Sequence, residues 1–168
     1  RLRLADALGH IGWHDNKIIN ILKNCMDNEY HFNTRWKLVE AYALLTRQED
    51  FIEEQLVKPV LADDKQDPDD NRLQALTILC KLEYYTDDFI YQVIERLSSF
   101  SQPICKQALI YLSAARSIPE LARPKLRDYI NDMINNENVD GILRNRAFET
   151  LYNLYDILVE TPVLPQIS

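Results

Sequence analysis

The sequence predicts an all-α protein, a right-handed α-α superhelix of stacked antiparallel helix pairs with about four and a half repeats. Three observations lead there. The chain of 168 residues holds three glycines and long stretches without turn signals, which favours helix over sheet. Residues 33–46 (NTRWKLVEAYALLT) and 69–82 (DDNRLQALTILCKL) write nearly the same apolar helix twice, with Ala41 over Ala75, Leu38 over Arg72, Tyr42 over Leu76 and Leu45 over Leu79. A small residue followed by apolar residues one and four places later recurs at Ala7, Ala41, Ala75, Ala108 and Ala147, at spacings of 34, 34, 33 and 39. A helical pair with more apolar surface than it can hide must stack on its neighbour, and a small anchor lets the helices approach closely.

Each anchor marks one amphipathic helix, because positions i, i+1 and i+4 share a face. Between the anchors the pattern predicts partner helices at about 15–28, 49–62, 87–100 and 119–135. Asp15, Asp87 and Pro119 are their expected starts, since a carboxylate caps free amides and proline suits a first turn. Pro59 and Pro124 fall inside two of these helices and are expected to bend them. ADDKQDPDD (62–70) and NNENVDG (135–141) read as loops, the second absorbing the surplus of the longest spacing. Residues 1–158 thus form one repeat domain, and VETPVLPQIS (159–168) an extended tail able to fold back over the end of the stack. The chain starts inside a helix without a methionine, as expected of a fragment of a longer protein.

Composition narrows the function. The net charge of −7 is spread evenly: residues 1–86 carry 11 basic and 15 acidic side chains, residues 87–168 carry 8 and 11. The absence of a basic lobe argues against nucleic acid and anionic lipid as partners. No run of 18 apolar residues is present to span a membrane. Cys25, Cys80 and Cys105 lack a CxxC pair or disulfide spacing and are expected as reduced, buried thiols of an intracellular protein, cytoplasmic or nuclear.

Catalytic patterns fare poorly. His10 and His14 straddle a turn between Gly9, Gly12 and Asp15, so no metal site is expected. ADDKQDPDD fails as a calcium loop, with Lys65 at a ligand position, Pro68 where glycine is needed and no late bidentate glutamate. Neither GxSxG nor a Gly-rich phosphate loop occurs, and Arg123, Lys125 and Arg127 are offset by Glu120 and Asp128. The expectation is no enzyme and no cofactor.

RLRLADALGHIG (1–12), NTRWKLVEAYALL (33–45) and NRLQALTILCKL (71–82) resemble the second helices of HEAT repeats. The resemblance, to a HEAT or armadillo-like α-solenoid, implies second helices lining a concave face. It also implies an inter-repeat ladder of acidic-basic pairs, for which Asp70 near Arg72 and Asp140 near Arg144 are the matching residues, with Cys105 breaking the pattern. Mapped at 100° per residue, positions −5, −1, +2 and +6 from each anchor point away from the core. They include Asp6, Trp13, Trp36, Glu40, Arg47, Gln74, Lys81, Gln107, Ile110, Arg146, Glu149 and Asn153. Trp13, Trp36, Glu40, Arg47, Lys81, Arg146 and Glu149 are therefore the candidate protein-binding residues, since exposed Trp and Arg favour interface hot spots. Tyr84, Tyr85, Tyr91, Tyr152 and Tyr155 read as core or rim aromatics. The expected role is a protein-interaction scaffold or assembly module that docks a partner helix or extended segment, with further repeats or domains of the same chain as another contact. The alternatives are an enzyme-related HEAT-like protein, such as a chromophore lyase subunit, and a structural spacer.

Overall fold

Helices begin where side chains satisfy their first free amides. The Asp15 carboxylate accepts from the Lys17 amide and opens α1 (Asn16–Asp27). Thr86, rather than the expected Asp87, caps α5 (Asp87–Arg96), its hydroxyl accepting from Phe89, and Asp87 sits in the first turn where it favours the helix dipole. Asp140 accepts from the amides of Ile142 and Leu143 at the start of α8 (Gly141–Asn153). The computed structural model describes residues 15–62, 68–115 and 117–158. The calls on Ala7, Asp6, Trp13, His10, His14 and the tail 159–168 fall outside them. Among the described residues every regular element is helical.

The other helices are α2 (Phe32–Thr46), α4 (Asp69–Lys81), α6 (Gln102–Ala114), α7 (Arg123–Asn135) and the short α9 (Tyr155–Leu158). Helix α3 runs Glu49–Ile52, widens to a π-turn over Glu53–Val57 and closes over Lys58–Leu61. Pro59 accounts for the widening. It has no amide for the Gln55 carbonyl and its ring crowds that carbonyl, so the bond before it, Lys58 to Glu53, spans five residues. Pro124 does not bend its helix. It stands at the second position of α7, after a 3₁₀ turn at Glu120–Ala122, where a missing amide costs nothing.

The chain divides into two compact units, Arg1–Leu82 and Glu83–Ser168. In the first, α1 buries Leu22 and Met26 against α2, which buries seven residues from Leu38 to Leu45, and α3 packs on α4. In the second, Phe89 at the start of α5 meets Tyr111 near the end of α6 edge to face at 5.6 Å, so this pair is antiparallel. Leu158, just past α8, shares a cleft with Pro124 at the start of α7, which sets that pair antiparallel too. Every anchor alanine in the described residues, Ala41, Ala75, Ala108 and Ala147, is buried.

Candidate functional site

The anchored helices run side by side and parallel within each unit. In the first, the Trp36 indole of α2 donates to Asn71 Oδ1 of α4 at 3.2 Å, and Arg47 Nη1 donates to the Leu82 carbonyl at 3.4 Å. In the second, Thr150 of α8 reaches the Leu109 carbonyl of α6 at 3.4 Å while bonding Arg146 O at 2.8 Å, and Asn153 donates to Ser113 Oγ at 2.7 Å. Partner numbers rise together in both units, which is the mark of parallel neighbours. The partner helices α5 and α7 follow suit, through Lys125 to Glu95 at 2.6 Å and the Tyr129 hydroxyl to Leu97 O at 2.8 Å.

The structure brings together four of the sequence-derived candidates on the α2–α4 face. Glu40 is the hub. It is buried, at 8% exposure, instead of turned to solvent as its −1 position implied. The neighbouring α4 covers it, and its carboxylate accepts from Lys37 at 3.0 Å and from Lys81. Burial alone would raise this carboxyl, but the ammonium groups of Lys81 and Lys37 outweigh it and hold the group below its ordinary value. Lys81 and Arg47 are exposed and Trp36 is half-buried, its ring edge-on to Phe32 at 6.3 Å. Arg47 closes α2 in the left-handed conformation, with φ 47°. Arg146 and Glu149 belong to the second unit, on α8, and pair with each other at 2.5 Å. Gln74, Gln107 and Ile110 are half-buried and Asn153 is exposed.

The arginines of the expected ladder hold the loops before their helices. Arg144 Nη2 donates to the carbonyls of Glu137 and Val139, at 3.1 and 3.0 Å, and Arg72 donates to the carbonyl of Ala62. Both occupy the −3 position and bind the loop that precedes their helix. Asp140 is engaged as a cap, and an ion pair, Glu40–Lys81, links α2 to α4. At the same −3 position Cys105 is buried, its thiol 3.4 Å from the Tyr129 hydroxyl. Tyr129 gives its proton to Leu97 O, so the thiol is the donor. Burial raises the Cys105 thiol, only partly offset by that bond, and burial likewise pushes Tyr129 up. A thiol kept protonated is a poor nucleophile. Cys25, against expectation, is exposed on α1, at the edge of the buried stripe formed by Leu22 and Met26. The cations at 123–127 are engaged: Arg123 Nε with Ile118 O at 2.9 Å, Lys125 with Glu95, and Arg127 with Asp128 at 3.6 Å. Among the described residues no three His, Cys, Asp or Glu side chains gather as a metal site, and no helix is long and apolar enough to cross a membrane.

One surface escaped the sequence reading. Phe148 occupies the +1 position that is buried at Tyr42, Leu76 and Leu109, yet it is 52% exposed. Tyr152, one turn on from Phe148, and Tyr155, both expected in core or rim, are 83% and 57% exposed, and Tyr91 is also open. Leu109 is covered by α8, and α8 is the last anchored helix of the described residues, so its own +1 side lies bare. That signal was present in the repeat order.

No family model, no curated protein and no solved structure matches this chain.

Proposed function

We propose that this chain is a protein-interaction scaffold of the HEAT or armadillo-like α-solenoid kind, offering the outer faces of its second helices to a partner helix or extended segment. The observation that carries this reading is the parallel side-by-side stacking of α2 with α4 and of α6 with α8, each in step with the repeat. Stacked pairs of this kind offer rows of side chains along adjacent helices, and binding by such a face needs shape and a few anchor residues rather than a reactive group. Trp36, Arg47 and Lys81 supply those anchors on the first unit, and Arg146, Glu149 and Asn153 on the second. Glu40 serves the face indirectly, by fixing Lys37 and Lys81. The protonated Cys105 thiol weighs against a cysteine enzyme.

The test is affinity capture from cell extract with the full chain, followed by mass spectrometry and titration of the recovered protein. Arg47→Glu and Glu149→Lys are the informative variants, since both side chains are exposed. A stoichiometric partner whose affinity falls by more than about 1 kcal/mol in either variant supports the reading. Equal capture by both variants and by Trp36→Ala, with the fold intact, would sink the assignment to these faces.

A further inference from the structure

We propose that a small planar cation, of the aromatic amidine or guanidine class, binds in the cleft between the start of α6, the second half of α7 and the connection 136–139. The cleft traces to the residue three places before the anchor. On α4 and α8 that residue is arginine, and Arg72 and Arg144 each cross to carbonyls of the segment before their helix. On α6 it is Cys105, whose side chain stops at Sγ. Tyr129, from α7, makes the bond to the preceding segment instead, donating to Leu97 O at 2.8 Å. Between Cys105 and that segment, where Ser98 and Phe100 stand, a space of about 440 Å³ remains. Small-ligand sites span about 300–1,000 Å³, with mostly apolar walls and a few polar groups.

The lining selects the charge and shape of the occupant. Phe100 and Tyr129 offer aromatic rings, and Met133 and Leu143 add apolar wall. Ring faces attract a flat cation, most strongly where water is displaced. Asp132 is the one charged side chain among the described residues that line the cleft, and it holds no ion pair with a described residue. An anion would face that carboxylate with no cation in the lining to offset it. Gln102 and Asn138 carry amide oxygens able to accept from the N–H groups of an amidine. The occupant thus supplies the planar fork of donors that arginine supplies on α4 and α8. The rings and apolar wall leave room for an aromatic body beside the cationic head, which an arginine side chain lacks, so the occupant is a small molecule rather than a partner's arginine. This inference does not depend on the scaffold reading, which uses the outer faces of the second helices.

Nuclear magnetic resonance of the full chain with methyl-labelled methionine tests it. The chain has two methionines, Met133 in the wall of the cleft and Met26 buried on α1 in the other unit, so one methyl is the reporter and the other the control. Benzamidine, benzoate and N-acetylarginine amide are titrated in turn. The expected result is a saturable shift of the Met133 methyl with benzamidine, no shift of Met26, and no shift of either with benzoate, which keeps the ring and reverses the charge. Asp132→Asn, a change at an exposed residue, should weaken benzamidine by about threefold. Cys105→Arg should abolish the shift by filling the cleft with the side chain found on α4 and α8, and where that variant loses its circular-dichroism signal, Asp132→Asn decides. A Met133 methyl unmoved by benzamidine, an equal response to benzoate, or unchanged affinity in Asp132→Asn overturns the proposal. Tighter binding of N-acetylarginine amide than of benzamidine overturns it in favour of an arginine side chain of a protein partner.

Discussion

Replacing Glu40 by Gln removes the charge at a buried carboxylate that ties α2 to α4. The carboxylate accepts from Lys37 and Lys81, whose side chains remain 38% and 46% exposed. A hydrogen bond to a charged group contributes about 1.5–3 kcal/mol, and solvent at the ammonium groups reduces that to about 1 kcal/mol each. Glutamine keeps one acceptor but turns an amide N–H toward an ammonium, so the expected loss is about 2 kcal/mol at pH 7. For a chain of this size that is a fall in Tm of about 4–8 °C. The pH dependence follows from the lowered carboxyl. A folded value below the unfolded one gives stability that is fully present above the unfolded value, near pH 4.3 by the ordinary glutamate figure, and is lost as the pH falls through the folded value. Urea unfolding of both chains between pH 7 and pH 3 should therefore show a gap that narrows in acid. A gap under about 0.5 kcal/mol at pH 7 that stays flat into acid would refute the reasoning, and would mean that desolvation of Glu40 cancels its two ion pairs.

The three thiols should label in the order Cys25, Cys80, Cys105 with an aromatic disulfide reagent, the last only on unfolding, because Cys25 is exposed, Cys80 half-buried and Cys105 buried. Early labelling of Cys105 would mean that the Tyr129 contact opens readily. Glu83 adopts φ 54°, so Glu83→Gly should stabilise the chain by about 1 kcal/mol in urea unfolding, and an unchanged midpoint would mean the strain is already relieved by local contacts. Arg144→Ala frees the carbonyls of Glu137 and Val139, for an expected cost of about 1–2 kcal/mol together with faster amide exchange at Val139, whose N–H bonds Asn136 O at 3.1 Å. Unaltered exchange there would show that the turn holds itself.

Helix positions were legible because they rest on patterns local to the chain. The period of Ala-apolar anchors finds α2, α4, α6 and α8, and the breaks at Asp15, Pro119 and Asn135–Asp140 find their partners to within a few residues. Proline was read by presence alone, and its effect depends on place: Pro59 sits nearly three turns into a helix, Pro124 at the start of one. The site was less legible, because angular mapping of one helix knows nothing of its neighbour. Glu40 maps outward from α2, but Lys81 comes from α4, and a helix laid alongside buries what the isolated helix exposes. Phe148 is the converse, inward by pattern and bare in the structure.

The spacing of the anchors carries a further argument. Ala41 and Ala75 are 34 residues apart, and α2 and α4 bond at an offset of 35, Trp36 to Asn71 and Arg47 to Leu82. Ala108 and Ala147 are 39 apart, and α6 and α8 bond at offsets of 41 and 40, Leu109 to Thr150 and Ser113 to Asn153. These four bonds lie within one or two residues of the anchor register, the longer-reaching Lys81 to Glu40 pair within seven, although one anchor spacing is five residues longer. The surplus is not at 135–141 as the sequence suggested: residues 136–140 form a shorter connection than 62–68, and the extra length lies between α6 and α7, at 115–122 against 47–48 between α2 and α3. Chain length between helices thus does not set how they stack. The small anchors and their apolar neighbours do, since only close approach buries Leu109, Leu112 and Ala147 together. The side chains that fill the rows differ between the units: tryptophan, arginine and lysine in one, a paired arginine and glutamate with asparagine in the other.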